Sequence, residues 1–283
     1  MSRYLSITDF RARRKVLVRS DFGLAEKRQP PPSDPIEEKV WRSIVTLPDD
    51  VAIRTSNHHG KALAQLDELC SAWTFSTRLP PYRESMSPVM LDANDEIQAA
   101  LYNCLTGYYR FSVGGMRNVL ELVAIGCWAE VCGKKKEFRD WRKGKLQLGL
   151  GTACDGLISG AVSLESHLKS TVNDTLFAHK NPAARGIAMQ GGYVRRIFSA
   201  LSEFAHSRPN YNDSHFRESN GPIYVEAAFN HVAWIHFETI AIAYLLALIA
   251  RPKMRISPAF RELFADTKRV RSRVVRAAFL HLS

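Results

Sequence analysis

DEIQAALYNCLTGYYRFSVGGMRNVLELVAIGCWAEV, residues 95–131, decides the fold. It is mostly apolar and reads as helix, with Leu105, Val113, Leu120 and Val123 flanking a polar line. That line is Arg110, Gly114, Arg117 and Glu121, at i, i+4, i+7 and i+11, which helical geometry stacks one above another. Gly107 and the pair Gly114–Gly115 are the places where the segment can kink, break or admit a second helix closely. Arg117 and Glu121 are spaced for an ion pair in surroundings apolar enough to desolvate it, and such a pair reads either as structural or as part of a site.

Working outward, the chain continues helix after helix. KKKEFRDWRKGK, 134–145, is a short basic segment, and GLISGAVSLESHLKSTVNDTLF, 156–177, and YVRRIFSALSEFAHS, 193–207, are helix candidates. A polar loop runs through 222, and a long apolar helix follows from about 223 to 250. Upstream, GKALAQLDELCSAWTFS, 60–76, places Leu63, Leu66, Leu69 and Trp73 at spacings of three and four. No alternating strands intervene, so the expected fold is all-α, a helical bundle core over about 95–250 with antiparallel neighbours.

Prolines punctuate the rest. RQPPPSDP, 28–35, and RLPPY, 78–82, cannot continue a helix or a central strand. The expected division is a basic N-terminal arm, 1–30, with a strand-like run KVLVRS at 15–20; a helical N-terminal appendage, 36–90; the bundle core, 91–252; and a basic C-terminal helix, 253–283. That last helix opens with Ser257 as cap and Pro258 at its first position, and sets Arg269, Arg273 and Arg276 at i, i+4 and i+7 beside Val270, Val274 and Ala277.

With 283 residues, 46% hydrophobic and 24% charged, the composition is that of a globular chain able to bury a sizeable core, not of a disordered or fibrous one. The net charge of +11 is unevenly held: residues 1–30 carry +5, residues 251–283 carry +7, and the 220 between them sum to −1. Basic ends on a neutral body attract polyanions, meaning nucleic acid, anionic lipid or an acidic protein partner, or else act as a solvated surface. The candidate nucleic-acid contacts are Arg11, Arg13, Arg14, Lys15, Arg269, Arg271, Arg273 and Arg276.

The five cysteines form no CxxC pair, so buried thiols in a reducing cytoplasm are expected and no zinc knuckle or disulfide framework. MSRYLSITDFRARRK lacks the apolar run of a secretory signal. AFNHVAWIHFETIAIAYLLALIA, 228–250, is uninterruptedly apolar only from Ile240 to Ala250, about half of the ~20 residues a bilayer span needs, so a buried core helix is expected there and no transmembrane segment.

Chemistry concentrates in LSEFAHSRPN, 201–210. Arg196, Ser199, Glu203 and His206 share the polar face of this helix, and Ile197, Leu201, Phe204 and Ala205 the apolar one. A helix C-terminus and a carboxylate one turn back both favour the His206 imidazolium, which suits it either to acid–base work in RNA cleavage, with an arginine to steady phosphate, or to capping the helix end. His231 and Glu238, with Trp234 between them, form a second polar spot on the apolar helix. HExxH, Walker A, GxGxxG and GxSxG strings are absent, and the sequence implies no metal and no cofactor.

An ordered set of segments carries a resemblance: Arg117 with Leu120 and Glu121 in RNVLEL; Phe138, Trp141 and Gly144 in EFRDWRKGK; Leu201, Ser202 and His206 in LSEFAHS; and SNGP at 219–222. Over roughly residues 95–250 this RxxLE, FxxWxxG, LSxxxH and NGP pattern resembles uncharacterised bacterial all-helical proteins of the HEPN and abortive-infection type. The resemblance implies a bacterial or phage-defence setting and, through HEPN relatives, metal-independent ribonuclease activity.

Two functions follow as expectations. One is a helical interaction module that contacts nucleic acid or an acidic partner through its basic ends; the other is a HEPN-like ribonuclease or toxin using His206 with Glu203, Arg117, Glu121 and Arg196. Homo-oligomerisation through the apolar helices is a third reading.

Overall fold

The 95–131 stretch is broken at its first glycine. The computed structural model describes residues 37–77, 85–205, 221–252, 254 and 258–282, and splits this stretch into α3 (Met86–Leu105) and α4 (Tyr109–Val131). Gly107 turns the chain with φ +83°, and the backbone of Ile223 crosses it so closely that a Cβ there would collide with the Ile223 carbonyl. A left-handed turn under a crossing strand of backbone leaves glycine as the residue that fits.

The two helices then run antiparallel. Gly115 lies against Ala100, where an added Cβ would come within 2.9 Å of the Ala100 Cβ, and Gly126 lies against Val89 and Met86 at the other end of the pair. Small residues at both ends let the axes approach, and the Ile97, Met116 and Leu120 side chains between them are fully buried. Each such side chain contributes about 1.5–3 kcal/mol through apolar burial.

Around this hairpin the chain lays its other elements. Upstream lie α1 (Glu38–Trp41), a π-turn at Arg42–Thr46, and α2 (Leu47–Thr77), which is kinked at His59. Downstream come α5 (Lys135–Arg142), α6 (Leu150–Gly160), α7 (Val162–Val172), α8 (Tyr193–Ala205), α9 (Glu226–Ala250), α10 (Pro258–Ala265) and α11 (Arg273–Leu282). Helix α4 is the hub and packs against α3, α6, α8 and α9, while α2 covers α3 and α11 covers α7 and α9. Among the described residues there is no strand, in keeping with the expected all-α bundle. The arm 1–30, with its KVLVRS run, and RLPPY at 78–82 lie outside the described residues.

Helix α9 carries the membrane-like sequence. It has a mean hydropathy of 1.9 over its most apolar window, and 89% of that window is buried inside the bundle, so protein covers the surface that a bilayer would otherwise cover. The cysteines are free thiols; Cys70, Cys104, Cys127 and Cys154 are buried and Cys132 is half-buried.

Three expected boundaries differ. The 156–177 segment is two helices, because Ala161 leaves helical geometry (φ −127°, ψ 31°) between α6 and α7 and Asn173 ends α7 in the left-handed region. The expected division between residues 90 and 91 falls inside α3, and Leu66, Leu69 and Trp73 of α2 belong to the same buried core as α4.

The C-terminal segment is not one basic helix but α10 and α11, separated by residues 266–272. Asp266 turns the chain by accepting the Lys268 N–H at 2.9 Å, and Ser272 restarts it by accepting the Val275 N–H at 3.3 Å, an N-cap. Arg269, Arg273 and Arg276 consequently do not share one helical line.

Candidate functional site

Arg117 sits where α4 meets α8. Its Nε donates to Ser202 Oγ at 2.9 Å, its guanidinium lies 4.5 Å over the Phe198 ring, and its Nη1 is 3.5 Å from Glu121 Oε2. Ser202 in turn donates its hydroxyl to the Phe198 carbonyl at 2.8 Å, which leaves the oxygen lone pairs free to accept from the arginine. The guanidinium is thereby held by an ion pair, a hydrogen bond and a ring face at once, a combination that a lysine cannot reproduce. Arg117 and Glu121 keep 23% and 27% of their side-chain surface in solvent, so the pair is partly accessible.

Beside Arg117, the surfaces of α3 and α4 line a cleft of about 500 Å³. Glu96, Ala99, Ala100 and Asn103 of α3, at i, i+3, i+4 and i+7, form one wall; Arg110, Phe111, Gly114, Gly115, Arg117 and Asn118 of α4 form the other. The two glycines serve differently: Gly115 lets the helices touch, whereas Gly114 has nothing within 4 Å of its would-be Cβ and opens the cleft. Phe111 is 71% exposed at the rim, an unusual position for a large aromatic ring.

The floor of the cleft is braced from behind by His236 of α9. Its Nδ1 donates to the Val232 carbonyl at 2.8 Å and its Nε2 lies 3.5 Å from Ser112 Oγ, which itself donates to the carbonyl of Ala100 at 2.7 Å. Burial pushes the His236 pKa down to about 4, which keeps the imidazole neutral near pH 7.

The other expected site residues lie as follows. Arg196 staples the 174–191 connection to α8, donating to the Gly191 carbonyl at 2.9 Å and to Asp174 at 2.6 Å, away from Arg117. Glu203 is half-buried on α8, one residue beyond Ser202. His206, Arg11, Arg13, Arg14 and Lys15 lie outside the described residues.

Of the C-terminal arginines, Arg269 pairs with Asp266 at 3.4 Å and lies over the Phe237 ring, Arg271 lies over the Trp234 ring, and Arg276 donates to the carbonyls of Val270 and Arg271. Three of the four thus have partners within the fold, although Arg271 and Arg273 remain exposed. Glu238 is a buried hub: it accepts the Tyr193 hydroxyl at 2.8 Å and the Arg271 N–H at 3.0 Å, binding α8 and the approach to α11 onto α9, and burial raises its pKa. His231 packs edge-on against Trp234.

Reasoning from sequence missed Asn103, Asn118, Glu96 and Phe111, whose convergence needs the α3–α4 register. It also missed a surface cluster in which Asp155 Oδ1 receives Arg195 Nη2 at 2.5 Å and lies 3.0 Å from His179 Nδ1. A second missed cluster lies at the α2 kink, where His59 stacks on Phe229 at 4.1 Å and sits 3.0 Å from the Tyr224 hydroxyl. Burial lowers the His59 pKa, against an opposing pull from Glu226. Among the described residues no group of three or more His, Cys, Asp and Glu side chains is placed to hold a metal ion.

The described residues of the RxxLE, FxxWxxG, LSxxxH and NGP pattern have structural tasks. Arg117 and Ser202 join α4 to α8; Phe138 packs 5.6 Å from Trp141, and Gly144 (φ +69°) closes α5; the chain after Gly221 and Pro222 crosses Gly107. Compared with known proteins, the chain matches no family model, no curated protein and no solved structure.

Proposed function

We propose that this protein is a helical module that binds nucleic acid, with the α3–α4 cleft taking a single-stranded segment and the basic ends adding attraction. The observation that carries this reading is the cleft itself: Arg110 and Arg117 beside Asn103, Asn118 and Glu96, with Phe111 exposed at the rim. Arginines suit phosphate oxygens, amide and carboxylate side chains suit base edges, and an exposed ring offers a stacking surface to any base. The test is fluorescence anisotropy with a labelled single-stranded RNA of roughly 12 nucleotides across a salt series, where Phe111→Ala is expected to weaken binding about tenfold. Absence of binding by the wild-type protein at low salt overturns the reading.

A second reading is favoured by one contact. Arg117 donates to Ser202, the second residue of the LSxxxH segment named for a HEPN-like ribonuclease and four before His206 in sequence. In this reading His206 supplies the proton transfers of RNA cleavage and Arg117 stabilises charge on phosphate. Incubating wild-type and His206→Ala protein with RNA in EDTA tests it; RNA left intact by the wild type removes it.

A further inference from the structure

Helix α5 and the turn that closes it form a ridge of one charge. Lys134–Lys136, Arg139, Arg142, Lys143 and Lys145 are all exposed, and only Glu137 and Asp140 intervene, giving the 134–145 segment a net +5. The rest of residues 31–250 sums to −6, so the neutral total of the body conceals a cationic ridge on an acidic surface. Among the described residues the ion pairs here lie at the two ends of the ridge, Lys134 with Glu137 at 3.2 Å and Arg142 with Asp92. Concentrating seven cations on twelve residues costs stability through self-repulsion, which a polyanionic ligand would relieve.

The ridge is anchored to the core and adjoins the cleft. Phe138 is buried in the core and Trp141 packs beside it, so both aromatic side chains of α5 face inward. Arg142 reaches Asp92 of α3, and Asp92 and Glu96 stand at i, i+4 on one face of that helix, about 6 Å apart along its axis. Since Glu96 lines the cleft, the cleft wall continues into the ridge. Lys135 and Arg139 repeat the same i, i+4 spacing of about 6 Å, close to the separation of successive phosphates along a strand.

We propose that this ridge is the track for the phosphate backbone of a single-stranded nucleic acid whose end occupies the α3–α4 cleft. The inference rests on the cleft reading above and extends it. A membrane surface fits less well, because the aromatic residues that would anchor in lipid are packed against the bundle. An acidic helix matches one such spacing, whereas seven cations spread over twelve residues suit a continuous polyanion.

The test uses the full chain and two labelled RNAs, a trinucleotide that fits the cleft alone and a strand of about 12 nucleotides that spans both surfaces. Combining Lys135→Gln, Lys136→Gln, Arg139→Gln and Lys143→Gln is expected to leave trinucleotide affinity within about twofold. It should lower affinity for the longer strand at least tenfold and make its logarithmic salt dependence shallower by about 3, the value for four phosphate contacts to a single strand. These side chains are exposed, and far-UV circular dichroism checks that the helices are retained.

An equal loss for both lengths, or none for the longer strand, overturns the ridge while leaving the cleft reading intact. Loss of the longer strand through the ridge variant with no effect of Phe111→Ala overturns the cleft and retains the phosphate track. If phosphatidylserine vesicles bind through the ridge and neither RNA does, the nucleic-acid occupant is overturned.

Discussion

His236 makes the structure sensitive to acid in a way that can be calculated. The imidazole is fully buried behind the cleft floor, and burial lowers its pKa from 6.5 to about 4. The unfolded chain therefore takes a proton that the native state does not, so this group's contribution is flat above about pH 7 and destabilises progressively as pH falls toward 4. The full shift corresponds to about 3 kcal/mol, of which about 2 kcal/mol is lost by pH 5. Glu165 acts in the opposite direction: its carboxyl is raised to about 7 by burial, so native protonation favours folding as pH falls from about 7 toward 4.5. Total stability thus conceals both groups, and the measurement must isolate one of them. Urea denaturation of wild-type and His236→Gln protein at pH 8 and pH 5 does so. The stability advantage of the wild type should shrink by about 2 kcal/mol at the lower pH. An advantage unchanged within about 0.5 kcal/mol would refute the neutral, desolvated imidazole.

Two further substitutions probe the frame of the site. Gly107→Ala places a Cβ against the Ile223 backbone in a left-handed turn, and should cost about 2 kcal/mol or more and lower Tm by roughly 5 °C or more; an unchanged Tm would show that the crossing chain can yield. Arg117→Lys keeps the charge but loses the Nε donation to Ser202 and the ring contact with Phe198, with an expected cost of about 1–2 kcal/mol by chemical denaturation. Equal stability of the two proteins would mean that the α4–α8 contact does not depend on the guanidinium.

The Arg117–Glu121 ion pair was legible because both partners stand on one helix, where i, i+4 spacing sets their distance without reference to the rest of the chain. The same local logic exposed the three glycines as places of interest but not their different tasks, since a break at Gly107, a contact at Gly115 and an opening at Gly114 depend on what lies opposite. It failed at 253–283, where apolar and basic residues at helical spacing suggested one helix. There Asp266 and Ser272 divert the backbone, and Glu238, 33 residues upstream of Arg271, holds the diverted chain.

What the sequence determined by itself is the all-α class, the buried nature of the 226–250 helix and the spacing of charges along each helix, because periodicity and polar interruptions are local properties. Tertiary structure alone decided which charges on different helices meet. Glu96 and Asn103 face Arg110 and Arg117 only once Gly107 has reversed the chain, and the basic α5 segment is joined to the α3 wall of that cleft by Arg142 and Asp92, 50 residues apart. Proximity between residues distant in sequence is set by the packing of several helices on α4, and no spacing rule within one segment contains it.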